Sequence, residues 1–321
     1  MSDKPRVYAN RRLPEAVTER LQHGYTATIN EADRGLSDDE LLAAAAGQDA
    51  LIVTPPDKMP AALIDRLPDS VKAIACFSVG TNHVDLEAAK RRGIAVFNTP
   101  GVLTDATAEI AMLLILGACR RAWEGQTMLR ARRWDGWKPT QLIGLELTGR
   151  RLGIVGMGRI GQAVAKRAKA FGMKVHYHNR SQLPAEQEGA AVYHETLETL
   201  LPEADVLSLH CPATPETRSL LDEHAIAKLP RPSVVVNTSR GDVVDDGALI
   251  SALQDGRVAA AGLDVFAGEP DIDAGYYELD NAYLLPHLGS ATVETRNAMG
   301  FKCLDNLDAL FAGATPPDRV V

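Results

Sequence analysis

Cysteine is scarce in this 321-residue chain: Cys76, Cys119, Cys211 and Cys303 are scattered, and none belongs to a C-x-x-C pair. That spacing supports neither a disulfide framework nor a zinc site, so no metal is expected. Most of these cysteines sit in apolar strand-like or helix-like patterns, where the thiol behaves as a small hydrophobe. Uninterrupted apolar runs of spanning length are missing, and Met1 to Arg6 is polar with no signal-like apolar core; the expected location is cytoplasmic. Basic residues are not in excess, with 34 Lys and Arg against 42 Asp and Glu and a formal charge of −8. Neither nucleic acid nor an anionic membrane gains from meeting an acidic surface, so neither is an expected partner. The balance says little about a local anion pocket. No solenoid-like repeat or low-complexity tract is present, apart from Ala43 to Ala46, which a helix explains. What remains, 45% apolar and 24% charged residues, is a soluble globular composition with length for two domains, each with its own core.

The stretch that organises the chain is Arg151-Leu-Gly-Ile-Val-Gly-Met-Gly-Arg-Ile-Gly161. An apolar run ends in Gly156, Gly158 and Gly161, with Arg159 and Ile160 between the last two, and Gln162 to Phe171 carries helix formers with a small apolar face. Glycine is wanted at the tight turn, where backbone approaches a pyrophosphate, and where helix packs on strand. Free N–H groups at the helix start then face an anion. A bare G-x-G-x-x-G is a weak signal. Here it follows a β-branched run, opens a helix, and is succeeded after one helix length by a second strand, Lys174 to His178, a context that favours a dinucleotide site over a structural turn.

Before this stretch, Arg6 to Asn10, Tyr25 to Ile29, Ala50 to Val53, Ala73 to Phe77 and Ala95 to Phe97 are strand candidates. Helices fall between them, including Ser37 to Ala46 with a Ser37/Glu40 capping box and Leu86 to Arg92 closed by Gly93. Asn98-Thr-Pro-Gly101 breaks the pattern, and Thr104 caps a long helix whose Ile110 to Leu116 is apolar nearly all round. Such a helix must be buried, between domains or between subunits, and its position makes it a candidate hinge. Arg130 to Lys138 is basic and carries Trp134 and Trp137, a composition suited to an interface or to a solvated loop with one packed tryptophan. Beyond Gly149, strands are expected at Leu152 to Val155, Lys174 to His178, Val206 to His210, Ser233 to Asn237, Ala259 to Asp264 and Tyr283 to Leu285. A last helix, Thr292 to Phe311, is expected to pack back on the N-terminal domain. The fold class is α/β, with two Rossmann-like or flavodoxin-like parallel-sheet domains. Residues 1–100 and 288–321 form the substrate-binding domain, and 101–287 the dinucleotide-binding domain inserted into it.

An NAD site has an acidic residue at the end of the second strand, about 20 residues beyond the glycines, to bind the adenosine ribose 2′-hydroxyl. This chain has His178-Asn179-Arg180-Ser181 there instead. A phosphate is attracted by Arg180 and held by Ser181, so NADP(H) is the preferred cofactor, with NAD(H) possible; the bland alternative is Arg180 as an ordinary surface charge.

Three further charged residues stand at strand C-termini, where open α/β sheets bind ligands. Arg240 follows Val234-Val-Val-Asn-Thr-Ser239, Glu269 follows Gly262-Leu-Asp-Val-Phe-Ala-Gly268, and His287 lies in Leu285-Pro-His-Leu-Gly-Ser-Ala291. A guanidinium forks onto a carboxylate and polarises an adjacent carbonyl. A histidine gives a proton to the oxygen that becomes a hydroxyl as hydride reaches carbon, and a carboxylate beside it orients the ring and favours imidazolium. Taken singly, Arg240 could be a surface partner, Glu269 a loop carboxylate and His287 a satisfied buried histidine. Together, beside a nicotinamide, they make a 2-oxo acid reductase.

These residues resemble the D-isomer-specific 2-hydroxyacid dehydrogenase family, and within it the glyoxylate/hydroxypyruvate reductase branch. The resemblance runs through Ser78-Val-Gly-Thr-Asn-His-Val-Asp85, the glycine fingerprint, His210-Cys-Pro-Ala-Thr214 with Glu216-Thr-Arg218, Val236-Asn-Thr-Ser-Arg-Gly-Asp242, Gly262-Leu-Asp-Val-Phe-Ala-Gly-Glu-Pro270 and Leu285 to Ala291. It implies that Arg240 holds the substrate, that His287 is the acid/base with Glu269 its partner, and that backbone around Val79 and Gly80 binds the substrate carboxylate. It implies also that Asp264 and Gly289 lie by the nicotinamide, that Cys211, Pro212 and Thr217 line the adenosine side, and that Thr104 and Thr238 touch the cofactor. In such reductases a partner tryptophan closes the pocket; Trp137 matches that position, and a homodimer is expected. The departure from NAD-using members is the missing acid after the second strand. The expected reaction reduces small 2-oxo acids such as glyoxylate and hydroxypyruvate to D-2-hydroxy acids. A 3-phosphoglycerate-type or other 2-hydroxyacid dehydrogenase is one alternative, and a cofactor-sensing scaffold without turnover is another.

Overall fold

Short runs of β-branched and apolar residues give central strands that are buried on both faces, and the strands order the chain into two parallel sheets. The computed structural model describes residues 4–321. It divides into two units, Met1–Leu103 with Ala291–Val321, and Thr104–Ser290, so the crossings lie a few residues past 100 and 287.

In the first unit the strands are β1 (Arg6–Ala9), β2 (Thr26–Ile29), β3 (Ala50–Val53), β4 (Ala73–Cys76) and β5 (Ala95–Phe97). They pair in the order β2-β1-β3-β4-β5, with parallel registers such as Val7↔Ala50 and Leu51↔Ile74. Every residue of β3 and β4 is buried. One face is covered by a core containing Leu63, Ile64, Ala88 and Ala89. The other is covered by Val17 and Leu21 of helix Glu15–Gly24 and by Met299, Cys303, Leu304 and Leu307 of the final helix Val293–Phe311. Gly300 permits that approach, since a Cβ there would lie 2.4 Å from the Val17 side chain. Both bonds of the Ser37/Glu40 capping box are formed, and Gly93 stands beyond the Leu86–Arg91 helix at φ +65°.

The second unit contains β6 (Arg151–Val155), β7 (Lys174–His178), β8 (Val192–His194), β9 (Val206–Leu209), β10 (Val234–Asn237), β11 (Ala260–Leu263) and β12 (Ala282–Leu284). Their order, β12-β11-β10-β9-β6-β7-β8, reverses direction between β6 and β9. That is the switch point at which a parallel sheet opens a crevice beyond its strand C-termini.

Some local expectations need correction. β8 was not foreseen: it is a three-residue edge strand, too short and too polar to carry a periodic signal. The helix after the fingerprint spans Arg159–Ala170, with Gly158 as its N-cap. Gly161 therefore lies inside the first turn, and a Cβ on it would sit 2.4 Å from the Gly156 carbonyl oxygen. Helix Thr104–Cys119 starts on Thr104 and packs one face on the sheet of the second unit. A Cβ on its Gly117 would strike the Tyr283 ring at 2.2 Å, and one on Gly262 of β11 would meet Leu114 at 2.8 Å. Leu113 stays 43% exposed and Ile110 and Leu116 half-buried, so cover of its own sheet accounts for part of its apolar character.

Candidate active site

The fingerprint folds as its glycines require. Gly156 adopts φ +96°, and a Cβ there would lie 2.6 Å from the Cys211 nitrogen, so the segment after β9 runs directly over the turn. Asn179, just past β7, accepts a hydrogen bond from the Met157 N–H at 2.7 Å and ties the second strand end to the same turn. Gly158 has no side-chain cap on its helix, and a Cβ there meets nothing within 4 Å. An uncapped helix N-terminus over open space, walled by glycine, is the cradle a pyrophosphate fits. Arg159 is exposed and Ile160 half-buried beside it. Arg180 and Ser181 are exposed beyond β7, and Arg180 makes no ion pair among the described residues. On the other side, Thr217 Oγ1 donates to the Pro212 carbonyl at 2.6 Å and accepts from the Thr214 N–H at 2.8 Å, which fixes the loop after Cys211.

The charged residues come from the ends of β10, β11 and β12. Asn237 shapes the first loop: its Oδ1 accepts from the Ser239 N–H at 2.9 Å, and its Nδ2 donates to the Arg240 carbonyl at 2.9 Å. Gly241 then passes so close to the next loop that a Cβ would overlap the Phe266 carbonyl carbon at 1.8 Å. This contact brings the Arg240 turn against the segment that carries Glu269. Arg240 donates from Nη1 to the Ser239 carbonyl at 2.6 Å and has no ion pair among the described residues. Burial pushes its pKa down, and the nearby charge of Glu269 pushes it back up.

His287 Nδ1 lies 2.7 Å from Glu269 Oε2, while Glu269 Oε1 accepts from the Phe266 N–H at 2.8 Å. Burial raises the Glu269 carboxyl, but the bond and charge of His287, the Phe266 N–H and the charge of Arg240 outweigh it and hold the group below the usual carboxylate range. His287 itself sits at φ +57°, a left-handed conformation that costs a non-glycine residue energy. Asp264 fastens this turn, with Oδ1 accepting from the Leu288 N–H at 2.6 Å and Oδ2 from the Gly289 N–H at 2.8 Å. Its own pKa is pushed up to about 6, chiefly by burial, against the pull of those two N–H groups. Thr107 Oγ1 donates to the Gly289 carbonyl at 3.0 Å.

Arg240, Glu269 and His287 are therefore gathered by the second unit alone, with Glu269 in hydrogen-bonding contact with His287 and close enough to Arg240 to shift its proton affinity. Trp137 is not among them: it is 79% exposed on the loop after helix Ala122–Arg130. Val79 and Gly80 belong to the first unit, just beyond β4. Their carbonyls are taken, Val79 by Asn98 Nδ2 at 2.7 Å and Gly80 by Ser78 Oγ at 2.6 Å. No hydrogen bond among the described residues uses their N–H groups.

Comparison with known proteins agrees with this fold. Residues 112–289 match the NAD binding domain of the D-isomer specific 2-hydroxyacid dehydrogenases. The chain belongs to the D-isomer specific 2-hydroxyacid dehydrogenase family. Glycerate dehydrogenase of Hyphomicrobium methylovorum is 45% identical over 304 residues, covering 94% of either chain. Glyoxylate reductase of Thermococcus litoralis is 41% identical over 321 residues, covering 99% of this chain and 97% of its own. Among solved structures, the NADPH-dependent glyoxylate/hydroxypyruvate reductase of Sinorhizobium meliloti, crystallised with NADP and malonate, superposes with a TM-score of 0.88 at 35% identity. It matches over 99% of this chain and 97% of that one. As a member of the D-2-hydroxyacid dehydrogenases, the chain has the parallel-sheet dinucleotide domain that the glycine turn announced.

Asn237, Gly241 and His210 shape the site although the sequence assigned them no role in it. Asn237 had a readable signal, an asparagine at a strand end, which favours a side-chain-closed turn. Gly241 and His210 had none, because their partners, the Phe266–Ala267 backbone and the Ser208 and Thr238 hydroxyls, are met only after folding.

Proposed function

We infer that the protein is an NADPH-preferring reductase of small 2-oxo acids, glyoxylate and hydroxypyruvate in particular, yielding D-2-hydroxy acids, and that it works as a homodimer. The observation that carries the reading is Arg240, a half-buried guanidinium with no ion pair among the described residues, beside a Glu269–His287 couple. A half-buried cation whose fork is not taken by a carboxylate is free to meet an anionic ligand, and a guanidinium forks onto a carboxylate while polarising the neighbouring carbonyl.

A reduced nicotinamide dinucleotide, its pyrophosphate held by the glycine turn and the helix start at Gly158, would supply the hydride for the keto carbon. The chain's own part is binding and proton supply. Arg240 holds the carboxylate and the carbonyl oxygen. Glu269 occupies Nδ1 of His287, which leaves Nε2 to deliver a proton to the nascent alkoxide. Asp264 holds the turn that orients the ring. The relatives' names fit this chemistry, because glycerate and hydroxypyruvate are the two sides of one hydride transfer. Arg180 and Ser181, at the end of β7 in place of an acid, support a 2′-phosphate, as does the NADP in the Sinorhizobium meliloti relative.

The test is NADPH and NADH oxidation with glyoxylate and hydroxypyruvate, run on the parent protein and on Arg240→Ala. The variant is expected to lose kcat/KM by about 10³-fold or more, with KM and kcat both affected, because Arg240 contacts ground and transition states alike. Near-normal turnover by Arg240→Ala would remove that residue from the reaction. A parent protein that oxidises neither nucleotide would remove the reaction itself.

A further inference from the structure

His210 takes no part in the chemistry above, yet it is bonded on every side. Its backbone N–H donates to the Val155 carbonyl at 2.8 Å, at the end of β6 and immediately before Gly156. Its ring Nε2 lies 2.8 Å from Oγ of Ser208, a fully buried residue of β9. Its Nδ1 lies 3.2 Å from Oγ1 of Thr238, the first residue beyond β10 and the head of the Arg240 turn. The register explains the reach: Leu209 pairs with Asn237, so the next residues on the two strands, His210 and Thr238, leave the sheet side by side. A Cβ on Gly156 would sit 2.7 Å from the His210 carbonyl carbon, so the same residue also forms the wall of the glycine turn.

We propose that His210 is a positioning residue for the dinucleotide site, its ring bridging Ser208 to Thr238 so that the ends of β6, β9 and β10 keep the spacing the cofactor needs. A neutral imidazole donates from one nitrogen and accepts at the other, and a hydroxyl serves either role. The pair Ser208 and Thr238 therefore satisfies the ring in either tautomer without help from a charged group. Burial pushes the His210 pKa down to about 4, which keeps the bridge neutral at working pH. The Thr238 hydroxyl has no other hydrogen bond among the described residues, so the ring is what orients it.

The proposal rests on the dinucleotide reading of the second unit, and its test separates the two. Asparagine puts its amide where Nδ1 stands and keeps the Thr238 side of the bridge. Glutamine puts its amide where Nε2 stands and keeps only the Ser208 side. Each leaves one hydroxyl without its partner, so His210→Asn and His210→Gln are expected to lower Tm by similar amounts, a few °C. Dissociation constants for NADPH, measured by quenching of protein fluorescence on the full chain, are expected to diverge. The Gln variant weakens by about tenfold and the Asn variant by no more than about threefold. Equal weakening in both, or none in either, overturns the positioning role and leaves His210 as a piece of core. Should the histidine variants fail to fold, Ser208→Ala cuts the bridge at its far end and is expected to weaken NADPH by about threefold; a lowered Tm with an unchanged dissociation constant would overturn the proposal. A parent protein that binds neither NADPH nor NADH overturns the dinucleotide reading and the proposal with it.

Discussion

The Glu269 carboxylate accepts from the Phe266 N–H with one oxygen and meets His287 Nδ1 with the other, and these contacts with the Arg240 charge keep it ionised below its ordinary range. A carboxyl whose folded pKa is depressed contributes stability that is complete above its unfolded value, about 4.3, and lost as pH falls through the folded one. Glu269→Gln is therefore expected to lower Tm at pH 7 and progressively less below about pH 4. Thermal melts with the same loss at both pH values would contradict the linkage. His287→Asn removes the proton donor itself and is expected to cost about 10²–10⁴-fold in kcat. At the cofactor's far end, Arg180→Ala should weaken NADPH by about 10–100-fold, the worth of a charge-assisted bond to phosphate. NADH should be unaffected, and a variant that weakens both nucleotides alike would show that Arg180 does not read the 2′ group.

The strand-turn-helix that begins with β6 contains glycines of different kinds, and the difference is measurable. Gly156 stands at φ +96° with the Cys211 nitrogen 2.6 Å from a would-be Cβ, whereas Gly158 has an ordinary φ and empty space beside it. Gly156→Ala should thus damage the fold, through left-handed strain and backbone overlap of about 1–3 kcal/mol each. Gly158→Ala should leave Tm within about 2 °C of the parent and weaken the dinucleotide by about 5–100-fold, because the methyl enters space the pyrophosphate needs. If both variants melt early, or if Gly158→Ala binds normally, the cradle has been misread. These elements also show what the sequence could tell. β3, β6 and β10 were legible because a buried parallel strand is a short apolar run ended by a turn residue, and β7 because Val175 and Tyr177 alternate with polar residues one helix length after the fingerprint. The site's charged residues were legible because each closes such a run. β8 was not, since an edge strand of three residues buries too little to need a pattern. The burial of helix Thr104–Cys119 was legible in part: the fit of Gly117 on Tyr283 and Gly262 on Leu114 says what covers one face, while Leu113 stays 43% exposed. The Gly241 contact with Phe266–Ala267 and the His210 bridge lie further out of reach, being agreements between loops distant in the chain.

At the scale of the molecule, the second unit exposes an uneven surface. Trp123, Leu129, Trp137 and Ile143 are 44%, 61%, 79% and 65% exposed within one stretch of chain, helix Ala122–Arg130 and the loop after it. Isolated exposed hydrophobics are normal, but large ones concentrated in one segment mark an association surface. With basic residues Arg130, Arg132, Arg133 and Lys138 in the same segment of an acidic chain, a second copy of the chain offers both apolar area and opposite charge. Sedimentation is expected to give a particle of twice 34.5 kDa. If a tryptophan from one subunit closes the pocket of the other, dilution through the dissociation range should raise KM for the oxo acid and leave NADPH affinity unchanged, because the glycine cradle lies within a single unit. Trp137→Ala should reproduce that raised KM, by about tenfold or more for a buried anchor, in protein that still sediments as a dimer. If Trp123, Leu129 and Ile143 share the interface, the loss of one ring leaves most of its apolar area in place, so the two measurements separate assembly from pocket closure. An unaltered KM in the Trp137→Ala dimer would confine that tryptophan to the surface, and full activity in a proven monomer would make the assembly irrelevant to turnover.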